Sequence, residues 1–275
     1  MTTQQYSEFS RYHLSGYWFS KNPSKAWAEK FFLLYIPYFF ALNGAKQAFG
    51  WLDVGNLAHI TQNLALLIPL FLVPLLIRDE TPLGRKWYQT YWFKMNLWIF
   101  IFTFIATYFF TEYFFDVLGM VYSFPHVSFY LDSALLGSGA LKVPVGMYLN
   151  APAFFVVYHT IAVILMRRIR TIGLPGGIAV TVLVVCAVAY AMAFLETKLI
   201  ATDANSTAFY YKDLSVMLKY GSIFYALYFV VSFPMVYRLE ENTNDNWPLS
   251  KVCCEALAAG MMVFFLLDIA SHFVL

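Results

Sequence analysis

"GIAVTVLVVCAVAYAMAFLETKL", residues 177–199, decides the fold class. A helix that crosses the hydrocarbon core of a bilayer needs about 20 mostly apolar residues. This stretch is long enough and apolar enough to be one, and its only charged residues are Glu196 and Lys198, close to its end. A charged group inside a membrane is costly and usually has a function. Glu196 is therefore the first candidate functional residue.

The composition of the whole chain agrees with this stretch. Of its 275 residues, 60% are hydrophobic, 20% are aromatic and only 12% are charged, as expected for an integral membrane protein. The net charge is +2 and the basic residues are scattered, so a nucleic-acid partner is not expected. The expected surroundings are a lipid bilayer, and protein partners cannot be identified from the sequence.

Hydropathy predicts an all-α, polytopic fold with about seven transmembrane helices. They form one helical domain over 26–275, after a polar N-terminal segment, 1–25, that shows no signal peptide. The longest connection, 116–150, is expected to be a loop with a short interfacial piece. The predicted spans are 26–48, 54–77, 92–115, 151–167, 177–199, 217–237 and 252–274.

The distribution of basic residues predicts the orientation. Thirteen of the 18 Lys and Arg residues fall on the N-terminal segment and the loops of its side, and five fall on the opposite side. Because basic loops stay in the cytoplasm, the N-terminus is expected there. The membrane would be the endoplasmic reticulum in a eukaryote and the inner membrane in a bacterium. Lys46, on the other side, is expected to extend to the headgroups.

Polar residues within the spans are the best pointers to function. With the predicted orientation they fall between mid-membrane and the non-cytoplasmic surface, so seven helices could share one polar layer. Its members are Asn43, His59, Gln62, Asn63, Glu112, His159, Glu196, Asp268 and His272.

Two interpretations are open for Glu196. The carboxylate could reach the headgroups and pair with Lys198. Alternatively, it could point inward near Tyr190 and act as a general acid, since a carboxyl kept from water can hold a proton until a substrate takes it. Glu112 is similarly ambiguous, with Tyr108 one turn before it.

His159 and Asp268 also have two interpretations each. His159 lies about eight residues inside its predicted span, where it could be a packing residue or an acid–base group. Asp268 is expected to face the interior, and at i,i+4 from His272 it could orient that imidazole.

The sequence lacks the motifs of metal-dependent and nucleotide-dependent enzymes. The five histidines are widely separated, and HExxH, CxxC and nucleotide-binding glycine motifs are absent, so neither a metal nor a cofactor is expected. The three cysteines include the adjacent pair Cys253 and Cys254 and do not suggest a disulfide framework. What remains is proton chemistry on an apolar substrate, with aromatic rings available to stabilise a cation.

Several segments resemble the cycloeucalenol cycloisomerase family, and they occur in the family's order over most of 22–270. They are "NPSKAWAEKFFLLYIPYF", "YWFKMNLWIFIF", "YFFTEYFFDVLGMVYSFP", "LMRRIR", "AFLETKLIA", "YGSIFYALYFVVSFPMVYRLEEN" and "DNWPLSKV". The resemblance implies a sterol substrate and an isomerase that opens the 9β,19-cyclopropane ring of cycloeucalenol to give obtusifoliol. This reaction moves protons through a carbocation and requires no cofactor.

The resemblance also covers most of the candidate residues. Glu196, His159 and Asp268 lie in matching motifs, as do Asn96 and Tyr225. Glu112 departs from the family pattern, which has His at this position, but it stays a catalytic candidate as a titratable group.

The hypothesis is that Glu196 is the acid, with His159 or Asp268 as base or orienting group. Asn96, Tyr108, Tyr190 and Tyr225 are the candidate substrate-binding residues. Two alternatives are a sterol double-bond isomerase of the emopamil-binding type and a non-catalytic sterol-binding or transport protein.

Overall fold

The structure is a computed structural model. It describes residues 16–77, 85–172, 177–200, 205–206 and 208–274, so residues 1–15 of the predicted N-terminal segment lie outside the described part. Within these ranges it contains seven long helices. They are α1 (Pro23–Ala48), α2 (Asn56–Ile77), α3 (Tyr91–Asp116), α4 (Val145–Thr171), α5 (Gly177–Ile200), α6 (Leu214–Arg238) and α7 (Leu249–Ser271).

The predicted helical membrane fold is confirmed, with six helices, α2 to α7, long and apolar enough to cross a bilayer. The first predicted span forms the helix α1 but is not among these six. Its first turns carry Lys25, Glu29 and Lys30, and its last turn carries Lys46. These charges lower the hydropathy of α1, although its middle is apolar.

Successive helices run in opposite directions, which brings functional residues to two ends of the bundle. At one end, a two-stranded antiparallel sheet pairs β1 (Met120–Tyr122) with β2 (Phe209–Tyr211). We call this the sheet end; α5 finishes there and α6 begins there. At the other end, which we call the opposite end, the start of α1 meets the end of α4 through an ion pair between Glu29 and Arg167.

The sheet corrects the prediction that 116–150 is a loop with a short interfacial piece. After α3, the chain forms β1, and Val121 pairs with Tyr210 across the sheet. The segment that follows is tied to the start of α2, because Asn56 Oδ1 accepts hydrogen bonds from the backbone N–H groups of Ser128 and Phe129. Helix α4 then begins at Val145, six residues earlier than the predicted 151.

An aromatic core joins α3, α4 and α6. The ring of Phe102 packs on Trp98 at 5.2 Å between centroids, and Phe155 lies between Phe102 at 5.9 Å and Phe229 at 5.7 Å. Aromatic rings bury much apolar area and prefer such tilted or offset pairs. This core therefore fixes the positions of the three helices that flank the sheet end.

Asn63 links α1, α2 and α4 near the sheet end. Its Oδ1 accepts hydrogen bonds from Lys46 Nζ at 3.0 Å and from Asn150 Nδ2 at 2.6 Å. The expectation that Lys46 extends to the headgroups is wrong, because its side chain is buried against this amide. Gly146 permits the close approach of α4, since a Cβ there would lie 2.4 Å from the ring of His59.

Candidate active site

Glu196 lies on the buried face of α5, four residues before the helix ends. This face presents Ala189, Ala193 and Thr197 to α6, and the Thr197 hydroxyl accepts a hydrogen bond from Ser222 at 3.2 Å. The Glu196 side chain points the same way and is 6% exposed. Lys198 is exposed on another face of the helix. The structure therefore supports the inward orientation of Glu196 and not a pair with Lys198.

The carboxyl of Glu196 is incompletely hydrogen-bonded. Its Oε2 atom is buried and has no hydrogen-bond partner among the described residues. Buried polar atoms are nearly always paired, and the exceptions are often functional. This oxygen is thus free to hold a proton or to face a ligand.

Five tyrosines interact electrostatically with the Glu196 carboxyl. We call them the tyrosine cluster: Tyr122, Tyr158, Tyr211, Tyr225 and Tyr228. They come from both strands of the sheet and from α4 and α6. Glu196 therefore interacts with phenols from three parts of the fold, the sheet, α4 and α6.

The two strand tyrosines stay protonated. Burial raises the pKa of Tyr122 above its usual value, and the Glu196 carboxyl raises it further. Burial, Tyr122 and Glu196 raise the pKa of Tyr211 in the same way. Both phenols therefore keep their O–H proton at neutral pH.

Aromatic rings extend from the tyrosine cluster into the bundle. Phe114 packs on Tyr225 at 4.7 Å and on Tyr228 at 6.0 Å between centroids, and Phe110 approaches Tyr228 at 5.9 Å. The faces of such rings carry partial negative charge and attract cations. The surroundings of Glu196 thus combine a proton donor with groups that stabilise positive charge.

His159 lies deeper in the bundle and is fully buried among aromatic rings. Its Nδ1 atom is 2.7 Å from the Phe155 carbonyl oxygen, and its Nε2 atom is 2.8 Å from Ser232 Oγ. Since a carbonyl only accepts, Nδ1 carries a proton, and the neutral ring accepts from the Ser232 hydroxyl. The ring of Phe233 completes the enclosure at 4.9 Å. Both nitrogens are therefore hydrogen-bonded, as a packing histidine requires, and the catalytic role of His159 stays a prediction.

Asp268 does not face the interior as expected. Its side chain is 54% exposed near the end of α7, where Oδ1 accepts a hydrogen bond from Tyr113 at 3.1 Å. His272 Nε2 is 3.9 Å from Oδ2, so the predicted pair meets, but the histidine is even more exposed. The pair lies on the outside of the bundle and apart from the buried carboxyls.

Glu112 is the second buried carboxyl at the sheet end. It is 4% exposed, and its Oε2 atom has no hydrogen-bond partner among the described residues. The loop between β1 and α4 covers it, and a Cβ at Gly137 would lie 2.1 Å from this oxygen. Asp116 holds the same loop by accepting hydrogen bonds from Ser138 N and Oγ, each at 2.7 Å.

Of the four predicted substrate-binding residues, only Tyr225 belongs to the tyrosine cluster. Tyr190 is exposed on the outer face of α5. Asn96 is buried between α3 and α2, where its amide donates to the carbonyl oxygens of Trp92 and Leu70. Tyr108 stacks on the neighbouring ring of Phe104 at 5.7 Å.

The opposite end contains a buried ionic cluster that the sequence analysis missed. Arg167 binds both carboxylate oxygens of Glu29, at 2.5 and 2.9 Å, and both of Glu241, at 2.6 and 2.8 Å. Its fifth N–H bonds the Trp18 carbonyl at 3.0 Å, so all five donors are used. Lys25 joins the cluster through Glu241 at 3.0 Å. The spacing of Lys25 and Glu29, one helical turn apart, was the only signal for it.

Charge balance indicates a structural role for this cluster. Two carboxylates, Glu29 and Glu241, face two cations, Arg167 and Lys25. Burial alone would raise the pKa of Glu241, but Arg167 and Lys25 hold it below its usual value. A cavity of about 390 Å³ opens beside the cluster, between Lys21 and Arg167, far along the bundle from Glu196.

Comparison with known proteins gives one clear relative. No protein-family model and no solved structure matches the chain. The chain is 35% identical over 258 residues to the cycloeucalenol cycloisomerase of Arabidopsis thaliana, a match that covers 92% of this chain and 87% of the relative. The resemblance read from the sequence segments is therefore confirmed. With its apolar helices and buried carboxyl, the chain belongs to the cycloeucalenol cycloisomerase family and is a membrane isomerase.

Proposed function

We propose that this isomerase opens the 9β,19-cyclopropane ring of a cyclopropyl sterol, converting cycloeucalenol to obtusifoliol, and that Glu196 supplies the proton. The observation that carries the proposal is the buried, unpartnered Glu196 Oε2 inside the tyrosine cluster. The name of the plant relative supplies the substrate. The hydrogen-bonded state of both His159 nitrogens and the exposure of Asp268 favour Glu196 over these two residues as the acid.

The ring-opening reaction requires few protein groups. The bond between carbon-9 and carbon-19 breaks as carbon-19 takes a proton, which leaves a tertiary cation at carbon-9. Loss of the proton on carbon-8 then forms the Δ8 double bond. No electrons are exchanged with a cofactor. Glu196 can give the first proton, and the rings of Phe114, Tyr225 and Tyr228 can stabilise the cation.

Access comes from the bilayer, because the sterol is insoluble in water. The rings around Glu196 pack against one another, so the substrate enters by displacing partly exposed side chains such as Tyr225. We further propose that α1 is a seventh span and that the N-terminus is cytoplasmic, as the excess of basic residues on that side favours. The membrane is the endoplasmic reticulum in a eukaryote and the inner membrane in a bacterium.

A second residue must accept the proton from carbon-8. Glu112 is a buried carboxyl with an unpartnered oxygen at the same end as Glu196, whereas both nitrogens of His159 are hydrogen-bonded. Asp268 is too exposed to meet a buried substrate. Glu112→Gln and His159→Gln, compared in the same assay, separate the first two candidates.

The test uses the purified protein in lipid nanodiscs. A cyclopropyl sterol and a Δ8 sterol are supplied separately, and the products are identified by gas chromatography with mass spectrometry. We expect the cyclopropyl sterol alone to be converted. Glu196→Gln should lower the rate by about 10²- to 10⁴-fold, the usual contribution of a general acid. Asp53→Asn, an exposed carboxyl at the same end, is the control and should stay within about twofold.

Each contrary result has a distinct meaning. Wild-type protein that binds the cyclopropyl sterol and returns it unchanged would contradict the function. Rearrangement of the Δ8 sterol instead would indicate a double-bond isomerase. Full activity of Glu196→Gln beside an active wild type would reject Glu196 as the acid and leave the function standing.

A further inference from the structure

Two buried polar atoms at the sheet end lack hydrogen-bond partners. They are Glu196 Oε2 and the hydroxyl oxygen of Tyr211, neither of which has a hydrogen-bond partner among the described residues. The two side chains interact electrostatically, although Glu196 comes from α5 and Tyr211 from β2. Two unpaired groups that face one buried region indicate that a proton or a water molecule can pass between them.

Tyr211 connects the protein surface with this buried region. Its neighbours Tyr210 and Lys212 are exposed, and the Lys212 N–H bonds the Gly119 carbonyl at 2.8 Å, which fixes the end of the strand. Met120 pairs with Tyr211 across the sheet. The backbone of Tyr211 therefore lies at the edge of the molecule, while its hydroxyl is buried on the Glu196 side.

The other phenols of the tyrosine cluster are placed differently. Tyr158 and Tyr228 lie near the middle of α4 and α6 and are almost fully buried, so they adjoin the aromatic core and not the surface. Tyr225 extends from α6, one turn beyond Ser222. Of the phenols with an unpartnered hydroxyl among the described residues, Tyr211 is the one beside Glu196.

The proposed reaction requires a group that reprotonates Glu196. Glu196 gives a proton to carbon-19 in every turnover, and a different group takes the proton from carbon-8. Glu196 is thus left as a carboxylate that must be reprotonated before the next turnover. At 6% exposure it has little contact with water of its own.

We propose that Tyr211 relays a proton from water to Glu196 after each turnover. The Tyr211 hydroxyl passes its proton to Glu196 Oε2 through a water molecule between them, and its oxygen takes a proton from a second water molecule that enters from the sheet end, so the phenol is unchanged. One proton enters by this route and one leaves from carbon-8 through the acceptor, which closes the balance. This inference rests on the proposed function and adds a positioning residue for proton transfer to it.

A phenol is suited to this step because its oxygen both donates and accepts hydrogen bonds. The raised pKa of Tyr211 keeps the hydroxyl protonated at neutral pH, so the relay carries no standing charge beside the cation. Tyr122 adds a second phenol at the same boundary, since it also interacts with Glu196.

The experiment separates the reprotonation of Glu196 from the transfer of its proton to the sterol. Tyr211→Phe keeps the ring and removes the hydroxyl, and Tyr210→Phe, on the exposed side of the same strand, is the matched control. Each protein in nanodiscs is mixed with the cyclopropyl sterol, first with enzyme in excess and then with substrate in excess. Rapid quenching gives the rate of the first turnover and the steady-state rate.

We expect the first turnover of Tyr211→Phe to stay within twofold of wild type, because Glu196 starts protonated. Its steady-state rate should fall at least tenfold, while Tyr210→Phe keeps both rates. Tyr211→His, whose ring carries a proton on nitrogen, should recover part of the steady-state loss. Thermal unfolding of each variant controls for folding.

Two results would overturn the relay. If both rates of Tyr211→Phe fall together and Tyr211→His does not recover them, Tyr211 has only a structural role. If neither rate falls, Glu196 is reprotonated by another route or takes the carbon-8 proton itself. Failure of the proposed function is distinct, because the wild type would then leave the cyclopropyl sterol unchanged.

Discussion

A buried imidazole needs a partner for each nitrogen, and His159 has both. The Phe155 carbonyl oxygen accepts a hydrogen bond from Nδ1, and the Ser232 hydroxyl hydrogen-bonds Nε2, inside rings that exclude water. A lone histidine in an apolar span could equally have been an acid or base, and the sequence alone left both interpretations open. The contact with Ser232 on the neighbouring helix favours the packing role, and such a contact is not visible in a single sequence.

Removing the Ser232 hydroxyl tests this packing role. Ser232→Ala leaves Nε2 buried without a partner, and we expect the free energy of unfolding to fall by about 1–3 kcal/mol. The catalytic rate per folded molecule should not change. Thr61→Ala removes an exposed hydroxyl that bonds its own helix and should cost less than about 0.5 kcal/mol. A large rate loss in Ser232→Ala with unchanged stability would restore His159 as an acid–base candidate.

At the scale of elements, a short sheet and a loop close the sheet end. The cost of a charge in a membrane was enough to select Glu196 from the sequence. Tyr122 and Tyr211 were missed because three-residue strands between helices have no usable periodicity. The sequence likewise could not predict that the loop between β1 and α4 covers Glu112 with Gly137, which only the structure reveals.

Two glycines of that loop make a matched pair. Gly137 and Gly139 have φ angles of +75° and +64°, where a Cβ costs about 1–2 kcal/mol. Nothing lies within 4 Å of a Cβ at Gly139, whereas one at Gly137 would collide with Glu112. We expect Gly139→Ala to show the backbone cost alone and Gly137→Ala to lose more, measured by thermal unfolding in detergent. Equal losses would mean that the loop moves away from Glu112 easily.

At the scale of the whole molecule, Arg167 holds three distant parts of the chain together. Arg167→Leu would leave the buried Glu29 and the partly buried Glu241 without their main partner, and loss of one member of a buried ion pair typically costs about 3–5 kcal/mol. Arg170→Leu, one turn away and exposed, should change stability by about 0.5 kcal/mol or less. Unfolding in mixed micelles measures both. Similar small losses in the two variants would show that the cluster contributes little.

The same cluster predicts an effect of pH. Because the pKa of Glu241 is lower in the folded protein than in the unfolded chain, its contribution is complete above the unfolded value of about 4.3 and is lost as pH falls through the folded value. Melting temperatures measured from pH 7 down to pH 3.5 should fall for the wild type, and Glu241→Gln should fall less steeply. Parallel slopes for the two proteins would assign the acid sensitivity to other carboxyls.

The ionic cluster also has a consequence for how the chain is made. Lys25 and Glu29 leave the ribosome first, but Arg167 follows about 140 residues later and Glu241 later still. Until then, Lys25 and Glu29 lack the partners that hold them in the folded protein. Chains truncated before residue 241 should therefore hold the start of α1 less firmly than the complete chain does.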